Sequence, residues 1–107
     1  MANIIQGTID TEVQSFKDAL DAYEIENPGA EAALYRQNSA SIRLRVIDQR
    51  FEGMTKSRRH SQIWNFLAVR VPEDTLADVS LLLTVAPAEL RNSFANFEFE
   101  HPIPSQL

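Results

Sequence analysis

Residues 30–47 read AEAALYRQNSASIRLRVI. The second half alternates: Ile42, Leu44 and Val46 fall on one side of an extended chain, Arg43 and Arg45 on the other. A two-residue period of this kind marks a strand with one buried face. Ala30 to Arg36 forms an earlier extended run. Gln37-Asn38-Ser39-Ala40 between the two is short and polar, as a hairpin connection is. A lone hairpin is marginal in water, so the flanking segments must cover it.

Upstream, Val13, Phe16, Leu20 and Tyr23 recur at helical spacing and predict an amphipathic helix over residues 11–24. Thr11 with Gln14 fits a capping box, Glu12 suits the helix dipole, and Asn27-Pro28-Gly29 breaks the chain. Downstream, Gly53 interrupts the strand pattern. Ser57 is a plausible N-cap for a second helix carrying His60, Ile63, Trp64 and Leu67 on one stripe. Pro72 to Ala77 reads as a short helical turn. Val79 to Val85 (VSLLLTV) reads as a strand covered on much of its surface, a central one. Pro87, Leu90 and Phe94 predict a last short helix. The tail over 96–107 reads as loosely ordered, and the roles of Phe97 and Phe99 stay open between covering a sheet edge and meeting a partner.

The predicted order is α-β-β-α-α-β-α. It gives an α+β domain: a small mixed three-stranded sheet with helices on one face. The 107 residues suit one domain with its core over about 8–95.

Composition narrows the function. Hydrophobic residues make up 44% and charged residues 23%, enough for one core and too apolar for global disorder. No apolar run approaches the roughly 18 residues of a membrane span. The start MANIIQGTIDTE lacks the basic and apolar regions of a secretory signal, so a cytoplasmic protein is expected. Cysteine is absent, which excludes disulfides, thiolate metal sites and cysteine nucleophiles. The only histidines are His60 and His101, and no HExxH motif is present. The chain shows no nucleophile elbow, P-loop or GxGxxG, so a non-enzymatic role is expected.

Net charge is −5, which disfavours general nucleic-acid binding. The charge is uneven, however. Asp10, Glu12, Asp18, Asp21, Glu24, Glu26 and Glu31 face only Lys17 near the N-terminus. Arg43, Arg45, Arg50, Lys56, Arg58 and Arg59 form a basic stretch that could serve as a face for DNA. The plainer reading of Lys56, Arg58 and Arg59 is solvated charge, paired in part to the acidic first helix. The alternative is phosphate held at a helix N-terminus. His60, on the apolar stripe, is expected to be partly buried, with docking as its functional alternative.

Two short patterns carry a family resemblance. Phe51-x-Gly53 is followed by Arg59-His60 and then by Leu67, and Thr84-x-x-Pro87-x-Glu89-Leu90 follows the last strand. In this order the chain resembles the BolA family over roughly residues 8–92. The resemblance implies an α+β fold like a type II KH domain. It also implies a protein partner, a monothiol glutaredoxin, with which such proteins share a [2Fe–2S] cluster, in iron homeostasis or cluster delivery. Some members are described as DNA-binding regulators. Carried onto this chain, the partner-binding residues are Phe51, Gly53, Arg59 and His60. The family's cluster ligands have no counterpart here. The last strand begins Asp78-Val79-Ser80 without histidine, and the Gln37–Ala40 loop has neither Cys nor His. The chain is therefore not expected to bind a cluster alone. Gly7, Gly29 and Gly53 are never three apart, so the GxxG clamp of a nucleic-acid-binding KH domain is absent. A divergent domain with an unrelated function is the remaining alternative.

Overall fold

The computed structural model describes residues 1–102. The first helix, α1 (Thr11–Glu26), buries Val13, Phe16, Ala19, Leu20 and Tyr23, the expected stripe extended by one small residue. Its N-cap is Asp10, not Thr11: the Asp10 carboxylate accepts from the Val13 amide at 2.8 Å. Arg36 holds the same carboxylate and also reaches Glu12, so the acids at the start of α1 are matched to a base on the sheet.

The hairpin forms as expected from β2 (Glu31–Asn38) and β3 (Ser41–Ile47), paired antiparallel. The last strand, β4 (Val79–Val85), runs parallel to β3. The sheet is four-stranded rather than three-stranded. A two-residue strand, β1 (Asn3–Ile4), lies parallel to β2, giving the order β1-β2-β3-β4. β4 is thus an edge strand, not a central one. Its apolar sequence is explained by helices near both of its faces, not by a strand on either side.

Parallel neighbours need a crossover. Here α1 connects β1 to β2. The segment α2 (Lys56–Ala68) with α3 (Glu73–Leu76) connects β3 to β4. Both crossovers cover one face. On it Ala32, Leu34, Ile42, Leu44 and Val46 meet Phe16, Leu20, Tyr23, Ile63, Leu67 and Leu76 in one buried cluster.

The opposite face is not left bare. Ser93 caps a last helix, α4 (Phe94–Glu100), through its hydroxyl and the Asn96 amide. Phe99 of α4 is fully buried against Ala33 and Tyr35, with the two aromatic rings 5.0 Å apart. Helices therefore stand on both faces. Residues 96–100 of the expected loose tail are helical, and the rest of that expectation, beyond residue 102, lies outside the described residues. Phe97 stays 59% exposed, so the two tail aromatics have opposite placements.

A polar tie joins α1, the end of β3 and α2. The Tyr23 hydroxyl donates to the buried Asp48 carboxylate at 2.9 Å and accepts from Gln62 at 3.2 Å. Burial, and then the hydrogen bond to Asp48, push the Tyr23 phenol up to about 12 from 10.0. The neutral phenol thus stabilises the fold below pH 10.0, and that contribution is lost as pH rises toward about 12. Alkaline unfolding followed by circular dichroism should show this limb in the wild type and its loss in Tyr23→Phe. A wild-type curve flat across that range would contradict the assignment. Phe99→Ala should cost about 3–5 kcal/mol in urea unfolding. Phe97→Ala should stay within about 0.5 kcal/mol.

Candidate functional site

After β3 the chain makes a 3-10 turn over Gln49–Phe51 and reverses at Gly53, where φ is +82°. An L side chain is strained at that angle even though the space around Gly53 is open, so the glycine serves the turn. Thr55, rather than Ser57, caps α2 through its hydroxyl and the Arg58 amide.

The next feature is a buried guanidinium. Arg59 is only 4% exposed. Its terminal nitrogens donate to the two Glu89 carboxylate oxygens at 2.6 and 2.8 Å. Nε donates to the Met54 carbonyl at 3.1 Å, and one terminal nitrogen also reaches the Thr84 carbonyl at 3.3 Å. The Phe51 ring centroid lies 5.8 Å from the guanidinium carbon. Glu89 in turn accepts from the Ala86 amide at 2.9 Å. This is half of a capping box at the start of a 3-10 helix, Pro87–Asn92; Ala86 has no side chain to supply the other half.

The two short patterns found in the sequence therefore meet at one point. Phe51, Gly53 and Arg59 come from the first, and Thr84, Pro87 and Glu89 from the second. Their contacts bind α2, β4 and the 3-10 helix together. Arg59 is neither a solvated charge nor a partner of the acidic first helix, which pairs instead with Arg36, Lys17 and Arg70. Phe51 is fully buried. Of the four residues expected to meet a partner, only Gly53 and His60 lie at the surface.

His60 is exposed, against the expectation of partial burial, because it sits at the rim of the α2 stripe, where it stacks on Trp64 with ring centroids 5.9 Å apart. Beside it opens a groove of about 770 Å³. Lys56, Ser57 and His60 of α2 form one wall, and Ala88, Glu89, Phe94 and Ala95 the other. Leu82 to Val85 of β4 form the floor. Phe94 stands 74% exposed at its border. Sequence reading missed this groove: its walls are far apart in the chain, and the Arg59–Glu89 contact that joins them spans thirty residues.

The six expected DNA-facing cations are divided. Arg43 and Arg45 point off the α1–α2 face, as the alternation predicts, but α4 and Tyr35 meet them there. Arg45 donates to Asn96 at 2.8 Å, lies 3.5 Å from Glu100 and stacks over Phe99 at 4.9 Å. Arg43 donates to the Tyr35 hydroxyl at 3.2 Å. Arg50 pairs with Asp48 at 3.1 Å, and Arg59 is the buried group described above. Only Lys56 and Arg58 combine full exposure with the absence of an ion pair among the described residues.

Among the described residues, no group of three or more His, Asp or Glu side chains gathers in a way that could hold a metal ion. No helix in them is long and apolar enough to cross a membrane. No model of a known protein family matches the chain, and no curated protein matches it significantly.

Hydrogen bonds from Arg59, then the Ala86 amide, hold the Glu89 carboxyl down at about 2, below its ordinary 4.5. The ion pair therefore stabilises the fold fully above pH 4.5, and its contribution drains away as pH falls through about 2. Glu89→Gln should lower the melting temperature at neutral pH and remove this part of the acid limb. Arg59→Met should lose about 2 kcal/mol: it removes a buried partner, but a Glu89 side chain that stays 42% exposed can still be hydrated. Unchanged unfolding in both variants would refute the structural role of the pair.

Proposed function

We propose that this protein is a non-enzymatic binding module of BolA-like type that receives a protein partner at the groove beside His60. The observation that carries this reading is the groove itself: an apolar floor walled by Lys56 and the exposed His60 on one side and by Ala88 and the exposed Phe94 on the other. Binding surfaces of this kind combine apolar area with a few oriented polar groups. No catalytic constellation competes for the site, since the carboxylate within it, Glu89, is engaged by Arg59.

The family resemblance makes a monothiol glutaredoxin the first partner to test, in a role in iron homeostasis. Iron in [2Fe–2S] clusters takes thiolate or imidazole ligands. This chain has no cysteine, and His60 is the only imidazole lining the groove. Its residues do not fit a cluster of their own, so docking, not cluster ligation, is the activity proposed. DNA recognition through Arg43, Arg45, Arg50, Lys56, Arg58 and Arg59 has less to support it, because four of the six are engaged by protein groups.

The test is a titration of isotope-labelled protein with a cluster-loaded monothiol glutaredoxin, read by NMR and by visible absorption. Resonances of Lys56, His60, Leu82 and Phe94 should shift while the cluster spectrum stays unchanged. His60→Ala should weaken binding about tenfold, or ~1.4 kcal/mol. Affinity should fall only modestly with salt. NMR resonances that do not move would remove glutaredoxin as the partner. Shifts produced instead by duplex DNA, falling steeply with salt, would favour the DNA reading.

A further inference from the structure

The groove has a floor of unusual chemistry, because β4 is a sheet edge. In a parallel ladder, alternate residues turn their N–H and C=O groups toward the neighbouring strand and the others turn them away. The Val85 carbonyl accepts from the Asp48 amide at 3.0 Å, so Val85 faces β3. By alternation Leu83 and Leu81 face β3 too, and Leu82 and Thr84 face outward. The Thr84 carbonyl accordingly takes a hydrogen bond from Arg59, which comes from outside the sheet. The outward amide and carbonyl of Leu82 and the amide of Thr84 then point into the groove with no partner among the described residues.

An edge of this composition invites another strand. VSLLLTV holds no charge and no proline. Two features restrict access: the register shifts at Ser80, and Arg59 covers the Thr84 carbonyl. What remains open is a window of a few residues between two walls. The walls differ. α2, over one face of the sheet, offers Lys56 and His60; α4 and the 3-10 helix, toward the other face, offer Ala88 and Phe94. A strand alternates its side chains between the two faces of a sheet. Laid along β4, it would send one set of side chains toward Lys56 and His60 and the other toward apolar groups.

We infer that the groove takes an extended segment of a partner protein, acidic and apolar in alternation, as an added strand on the outer edge of β4. The inference rests on the binding-module reading and specifies how that module would bind. Main-chain hydrogen bonds to Leu82 and Thr84 supply register, and the two walls supply selectivity. Charge complementarity selects the occupant. Lys56 lines the groove without an ion pair among the described residues, and Glu89, the groove's own acid, is already held by Arg59. A second copy of the chain fits less well. Each copy carries a net charge of −5, which opposes their association.

The probe is a capped hexapeptide alternating valine and glutamate, compared with a twin N-methylated on one main-chain edge. Titrated into labelled protein, the first peptide should shift Lys56, His60, Leu82 and Thr84 and slow solvent exchange of the Leu82 and Thr84 amides. The N-methylated twin should bind at least tenfold more weakly. Lys56→Glu should reverse the preference toward a valine–lysine peptide. Equal binding of the twin, or no slowing at Leu82, overturns the inference. Concentration-dependent dimerisation that protects the same amides without peptide overturns it in favour of a second copy. The glutaredoxin titration separates the two levels. Shifts at His60 without protection of Leu82 keep the module and overturn strand addition. Protection by the peptide with no response to glutaredoxin keeps the edge and removes that partner.

Discussion

A guanidinium placed under a protein surface must replace every hydrogen bond it gave up to water, or the desolvation cost opposes folding. Arg59 places four of its five N–H donors, on two carboxylate oxygens and two main-chain carbonyls. The acceptors come from three parts of the chain: the loop before α2, the end of β4 and the 3-10 helix that follows. The requirement of one side chain thereby fixes three segments relative to one another. Glu89 is placed partly by its own bond to the Ala86 amide, which exists because Pro87 starts the 3-10 helix there. This arrangement ties the 3-10 helix to α2 beside the β4 edge, where the groove lies between them.

The sheet imposes the second constraint. Two parallel pairs need two crossovers, and both place their helices over the Ile42, Leu44 and Val46 side. The other side then carries Arg43 and Arg45 beside Ala33, Tyr35, Leu81 and Leu83. An apolar face with two arginines in it cannot be covered by a purely apolar helix. α4 answers this with mixed chemistry: Phe99 supplies the buried ring, while Asn96 and Glu100 supply acceptors for Arg45. The same seven-residue helix sets Phe94 at its other end against the groove. Covering the second face and building the site are thus one structural act.

Much of the fold was legible because it is local. The α1 stripe, the β3 alternation and the Gln37–Ala40 connection depend on neighbours a few residues apart, and all appear close to their expected places. What escaped depends on distance along the chain. β1 is two residues long, too short for a period, and exists because Leu34 and Ala33 offer an edge to it. Leu81-Leu82-Leu83 read as central because periodicity reports cover on the faces and is silent on what lies beside a strand. Phe99 was indistinguishable from Phe97 until the sheet showed which one has Tyr35 opposite it. Arg59 was read as surface charge since arginine usually is; its Glu89 partner lies thirty residues away, and the two short patterns that contain them gave no reason, taken separately, to be joined. His60 erred the other way. It lies on the helical stripe in number, yet at the rim of it in space, where a flat ring can rest on Trp64 and remain in water.

The candidate site is best understood by what the fold leaves uncommitted. Proteins of this size usually close their sheet edges with charge, proline or a covering element. β1 is short enough to need none of these. β4 is longer and apolar, and only its C-terminal end is closed, by Arg59. Closing the rest would have required little, such as one inward lysine or a proline at an outward position. Instead the edge lies between a wall with an exposed cation, Lys56, and a wall with an exposed aromatic ring, Phe94. Lys56 makes no ion pair among the described residues, and Phe94 stays 74% exposed. Each of the three features taken singly is ordinary on a protein surface. Their convergence on one groove, beside the Arg59–Glu89 ion pair, is the observation on which the proposed binding role rests.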